Sequence, residues 1–174
     1  MKFLLKLFFY LLLISKSLSA DFVMTVSGVD KFPIFEKIND KNIFMIFSNK
    51  NQFTTNTSMF GFGTCDGTVE IKEGDHYRNI LCTVTDSYGN KGYLKAVESN
   101  KKKIAANMIG DRIGSSIASW KWLDGNGPFE ELKGITMIGA YFQMGKNKYG
   151  DGNFIWRGKA EGVSEKLIER INNY

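Results

Sequence analysis

An all-β fold, an antiparallel up-and-down barrel of about eight strands with a short C-terminal helix, is the architecture this 174-residue sequence predicts. Three observations predict it. Aromatic and β-branched residues are frequent, with 14 Phe, 7 Tyr and 3 Trp, and such side chains suit a pleated, half-buried surface. Short apolar stretches are separated by Asn, Asp and Gly clusters, notably Asp86-Ser-Tyr-Gly-Asn90, Asp124-Gly-Asn-Gly127 and Gly150-Asp-Gly152. Gly and Asn adopt positive φ at little steric cost, so these clusters join consecutive strands as hairpins. Proline, which interrupts ladders, is confined to Pro33 and Pro128. A meander of this length curls, and closing it removes both exposed edges; a two-sheet β-sandwich is the competing arrangement.

The first element is an address. Lys2, the apolar run 7–14 and the small residues Ser17, Ser19 and Ala20 have the three-part layout of a secretory signal peptide over 1–20. Lys6 and Lys16 bracket only nine positions, short of the roughly 20 of a membrane span, so no membrane anchor is expected once the segment is removed. Cleavage after Ala20, with Ser19 as the alternative, leaves a single β-barrel domain over 21–174, exported to a periplasm or the extracellular space. Lys2, Lys6 and Lys16 leave with the segment, so the formal charge of +5 drops by three to +2, and no nucleic-acid partner is indicated. The run Lys101-Lys102-Lys103 reads as a solvated loop.

Strands are predicted over 22–29, 42–47, 67–72, 77–85, 91–97, 116–123, 134–144 and 153–160. The stretch 100–114 fits neither period and is left open between a long loop and a short helix. At the end, Ser164 caps a helix, Glu165 suits its positive dipole end, and Leu167, Ile168 and Ile171 form an apolar stripe that docks on the sheet or plugs the barrel. Val163 can staple onto Ile168.

Two cysteines in an exported chain predict a disulfide between Cys65 and Cys82. If Glu73-Gly74 is the turn, paired positions sum to 147 and the two cysteines fall opposite one another, within disulfide reach. That register wastes apolar positions by setting Val69 against Arg78 and Ile71 against His76; a longer turn or a bulge within 75–79 would repair it. Sixteen intervening residues separate the pair from any redox-active Cys-x-x-Cys arrangement.

The inventory of reactive groups predicts no catalytic residue, no metal site and no cofactor. The one histidine, His76, sits in a charged hairpin end, and no Gly-x-Ser-x-Gly elbow accompanies it. The segment 61–67 has phosphate-loop glycines without the Gly-Lys-Ser/Thr ending. Asp86, Asn90, Asp124 and Asn126 read as turn chemistry rather than calcium ligands, and Glu130 and Glu131 point to opposite faces if extended.

Aromatic spacing says more. Trp120 with Trp122, and Phe154 with Trp156, are two residues apart, so each pair faces one side of its strand. Ile138, Ala140 and Phe142 form a second one-sided set, with Met137, Gly139 and Tyr141 facing the other way. The plain reading is a filled core in which aromatics offset glycines. The sharper one is a partly open interior in which Trp120, Trp122, Phe154 and Trp156 line a site for a small apolar ligand. The function expected is therefore a secreted, non-enzymatic barrel with a possible small apolar ligand. A cyclase- or isomerase-like barrel enzyme and a structural or interaction module of the cell envelope are the alternatives.

The segment Trp120-Lys-Trp-Leu-Asp-Gly-Asn-Gly-Pro-Phe-Glu-Glu-Leu-Lys-Gly-Ile135, with Gly139-Ala-Tyr141 and 150–156, resembles the glycine-rich hairpin of small exported bacterial proteins with calycin-like or allene-oxide-cyclase-like barrels. Cys65-Asp-Gly, Cys82 and Asp86-Ser-Tyr-Gly-Asn-Lys91 are similar to such proteins as well. Glu131 stands where that pattern has glycine. The resemblance implies a barrel and transfers no catalytic position.

Overall fold

Side chains alternate between an inner and an outer face along antiparallel strands, most of them paired with the next in chain order, in a computed structural model describing residues 19–73, 75–97, 107–109, 113–145 and 151–174. The signal-peptide reading, apart from Ser19 and Ala20, and the lysine run lie outside the described residues, as does most of 100–114. The strands are β1 (Ser19–Asn39), β2 (Asn42–Thr55), β3 (Phe60–Lys72), β4 (Asp75–Asp86), β5 (Lys91–Val97), β6 (Asn107–Ile109), β7 (Ile113–Gly125), β8 (Thr136–Met144) and β9 (Gly152–Ser164). A 3-10 helix, η1 (Gly127–Leu132), joins β7 to β8, and an α-helix, α1 (Glu165–Asn172), follows β9.

Pairing of β1 with β9 and of β5 with β7 closes the sheet into an eight-stranded antiparallel up-and-down barrel. The short β6 pairs with Ile113, Gly114 and Ser115 of β7, continuing the line that β5 occupies lower down. It lies inside the stretch left open from sequence. The β3–β4 ladder keeps the simple register throughout: Cys65 pairs with Cys82, Val69 with Arg78 and Ile71 with His76, with no bulge. Glu73 takes φ 51°, the left-handed conformation a tight hairpin turn demands. The disulfide is formed across this ladder, with Cα atoms 4.0 Å apart. The Arg78 mismatch is resolved sideways rather than by a bulge, because β5 pairs with β4 only from Leu81 to Thr85. Above that point Arg78 crosses to β7, where its Nη1 donates to the Ile117 carbonyl at 3.4 Å.

Three strands are much longer than the sequence pattern predicts, namely β1, β2 and β3. Their extra length carries inward-facing residues that break apolar alternation: Asp30 on β1, Asn49 and Asn51 on β2, Gly63 and Cys65 on β3. On β8, Met137 and Tyr141 turn inward, while Ile138 and Phe142 are exposed on the outer face.

One end of the barrel is sealed. Phe22, Phe53, Trp122, Phe129, Leu132 and Met137 are fully buried there. Trp122 stacks on Phe129 with ring centroids 5.4 Å apart, and Phe53 meets Phe129 edge-on at 6.2 Å. Gly92 makes this possible, since a Cβ at that position would sit 2.7 Å from both the Phe129 and Trp122 rings. The turn cluster 124–127 leads into η1, which lies in the gap between the strands expected over 116–123 and 134–144 and buries Phe129 and Leu132. The predicted terminal helix is present: Ser164 Oγ accepts from the Leu167 N–H at 3.2 Å, and Ile171 is buried. Arg170 Nε donates to Glu131 Oε2 at 2.8 Å, tying α1 to η1 over the same end.

Candidate functional site

Between the sealed end and the projecting ends of β1–β4 the interior retains a cavity of about 60 Å³. Every one of the eight barrel strands contributes to its wall. Met24, Val84 and Leu94 supply aliphatic surface, Trp120 and Trp156 aromatic surface, and the Cys65–Cys82 bridge closes one side. Trp156 lies across the wall because Gly158 leaves room; a Cβ there would sit 2.2 Å from the indole. The indole Nε1 donates to the Ala118 carbonyl at 3.2 Å, which pairs the one polar atom of the ring. Phe154 stacks on Tyr141 with centroids 5.7 Å apart.

A chain of polar side chains runs along one side. Asp30 and Asn49 are direct cross-strand partners in the β1–β2 ladder, and Asp30 is 0% exposed. The Tyr141 hydroxyl donates to Asp30 Oδ2 in a short hydrogen bond, and Asn49 Nδ2 donates to Asp30 Oδ1 at 3.3 Å. Asn51 Nδ2 in turn donates to Asn49 Oδ1 at 2.8 Å. Tyr141, Asn49 and Asn51 line the cavity, whereas Asp30 stands behind them.

Burial first, and then the neighbouring Asp30 carboxylate, push the Tyr141 phenol well above its ordinary range, against a smaller opposing pull from Arg78. The phenol therefore remains a neutral donor to Asp30 and does not act as a base. An upward shift for an acid means the associated stabilisation is whole below the unfolded tyrosine pKa of about 10 and is lost as pH climbs above it. Tyr141→Phe is expected to cost about 1–3 kcal/mol at neutral pH and to flatten the alkaline loss of stability. Urea midpoints of the two proteins at neutral pH and above about pH 10 check this; equal alkaline losses would remove Tyr141 as their source.

Of the residues singled out by aromatic spacing, Trp120, Phe154 and Trp156 meet at the cavity, and Trp122 does not. Two residues along a strand is about 7 Å, enough to carry Trp122 down into the stack with Phe129. Asp30, Asn49 and Asn51 were not singled out, and Tyr141 was named for the face of its strand and not as a site residue. Isolated polar residues inside strands carry no period, and only the β1–β2 register brings Asp30 to Asn49.

Comparison with known proteins gives no matching family model, no matching curated protein and no matching solved structure.

Of the turn residues considered as cation ligands, Asp86 and Asn126 are spent on the backbone, and Asp124 Oδ1 accepts from Lys133 Nζ at 3.0 Å. Asp86 Oδ1 accepts from the Tyr88 and Asn90 N–H groups, each at 2.9 Å, and Asn126 Oδ1 accepts from Lys91 N–H at 2.7 Å. Among the described residues, no helix is long and apolar enough to cross a membrane.

Proposed function

We propose that the protein is an exported, non-enzymatic barrel that binds a small molecule in its interior, in the manner of the calycin-like barrels its glycine-rich hairpin resembles. The observation that carries this reading is a largely apolar cavity walled by all eight strands, with two asparagines and a tyrosine on one side. Size sharpens it. At about 60 Å³ the cavity is smaller than the ~150 Å³ space that accepts benzene and far smaller than the ~300–1,000 Å³ of drug-sized pockets. Fatty acids and terpenoids therefore exceed it unless Trp120, half-buried in the wall, swings aside. Binding is favoured over proton transfer because the buried carboxyl, Asp30, is turned toward Tyr141 and Asn49 rather than toward the cavity. The Cys65–Cys82 bridge suits an oxidising compartment, which supports the exported part of the reading.

Native mass spectrometry of protein purified from its source, looking for a small co-purifying molecule, is the direct test. Tryptophan emission during addition of small apolar and amphiphilic compounds gives a second readout, since Trp120 and Trp156 face the cavity. A mass adduct, or a saturable emission change lost in Trp156→Ala, is expected. No adduct together with unchanged emission across compounds of this size would end the proposal.

A further inference from the structure

One sector of the outer wall is apolar where an antiparallel sheet facing water is expected to be polar. On β8 the residues that alternate with Met137 and Tyr141 point outward, and the ladders gather apolar neighbours around them. Phe142 pairs with Ile155 of β9, Ala140 with Ile117 of β7, and Met144 with Asn153, whose other partner is Val29 of β1. Val29, Ile117, Ile138, Phe142, Met144 and Ile155 are each 40–54% exposed. Apolar side chains scattered singly need no explanation, but a contiguous face of this kind marks contact with a protein or a membrane.

Charge separates the two. Arg157 stands inside the face beside Ala140, Lys50 borders it beside Val29, and Lys121 borders it beside Thr136. Lys121 is also the cross-strand partner of Lys95, two like charges set opposite each other, which a sheet does not favour on its own account. The outward positions of β7, β8, β9 and β1 that pair with Asn153, Ile155, Arg157 and Lys159 include no Asp or Glu. At the lower rim, Asp21 and Glu161 are both held by Lys159, at 3.3 and 2.9 Å. The side chains of Lys50, Lys95, Lys121 and Arg157 form no hydrogen bond or ion pair among the described residues. A second copy packed face to face would set the same cations against one another, so the face calls for a partner that is negative and also accepts apolar side chains.

We propose that this sector of the wall docks reversibly on an anionic phospholipid surface, with Phe142, Ile138 and Ile155 entering the headgroup region and the lysines and Arg157 lying on the phosphates. A leaflet suits it better than an acidic protein. Protein interfaces are anchored by Trp and Tyr seated in matching pockets, whereas this face holds neither residue and lies on the convex side of a barrel, where a fluid surface conforms without a matching concavity. The contact involves only the outside of the barrel, so it stands or falls apart from ligand binding in the interior.

The test is co-sedimentation of the protein purified from its source with vesicles of equimolar phosphatidylglycerol and phosphatidylcholine, and with vesicles of phosphatidylcholine alone. Binding to the anionic vesicles that exceeds binding to the neutral ones and falls with added salt is expected. Arg157→Gln and Lys121→Gln are each expected to weaken it about fivefold, and Phe142→Ser about tenfold. All three side chains point outward, and melting temperatures near that of the parent identify the folded variants. No binding to the anionic vesicles, equal binding to both kinds, or binding that the folded variants leave unchanged would each overturn the proposal. A dimer in solution that Phe142→Ser dissolves would overturn it as well, by assigning the face to a second copy. Should Phe142→Ser fail to fold, the two charge variants decide alone.

Discussion

Trp122→Ala is expected to be the most damaging single truncation, lowering stability by about 3–5 kcal/mol and the melting temperature by about 10 °C. Trp122 is 1% exposed, stacks on Phe129 and reaches Met137 Sδ with its Nε1 at 3.3 Å, so its removal opens a void at the sealed end. Trp120, two residues earlier and half-buried in the cavity wall, makes the natural control. Its truncation enlarges a space that already exists and is expected to cost clearly less. Thermal and urea unfolding of the two variants separates them; a larger loss for Trp120→Ala would mean that the load is carried by the cavity wall and not by the seal.

Replacing Cys82 by alanine is expected to cost about 3 kcal/mol, since the bridge closes a loop whose ends are 17 positions apart. The double Cys65→Ala, Cys82→Ala variant should match it. If it does, the loss comes from the missing bridge rather than from the stray thiol at Cys65. Protein unfolded without reductant is expected to show no titratable thiol, and two reactive thiols per chain would refute the bridge. The same substitutions widen the cavity at the disulfide wall, so a change in ligand size preference should accompany the loss of stability.

Turn chemistry is local, and it was readable from the sequence. β5 occupies 91–97 as its flanking Asp86–Asn90 cluster and apolar alternation predict, and the terminal helix starts behind the Ser164 cap. The summed register between Cys65 and Cys82 also survives intact, since a two-residue hairpin leaves it no freedom. What the sequence hides is what depends on partners far along the chain. Asn49 and Asn51 look like a strand ending, yet they continue β2 because Asp30 on the neighbouring strand accepts from the Asn49 amide and Asn49 accepts from the Asn51 amide inside the barrel. η1 is invisible for a related reason: Phe129 and Leu132 find burial only once eight strands have formed an end to seal. Aromatic spacing reached Trp120, Phe154 and Trp156 because spacing reports the face of a strand. It misplaced Trp122 among them because spacing does not report depth along the barrel axis.

Time enters through the ladder between β1 and β9. The first strand pairs with the second within a hairpin, but its other edge, from Ser19 to Asp30, is satisfied only by Gly152–Ser164. Every residue between those two segments must be synthesised before that edge is covered, and contacts of such long range form late because loop closure precedes any reward. Until then β1 presents a row of open N–H and C=O groups to any strand nearby, including its own copy on another chain. A chain stopped before β9 is therefore a template for association and not a smaller barrel.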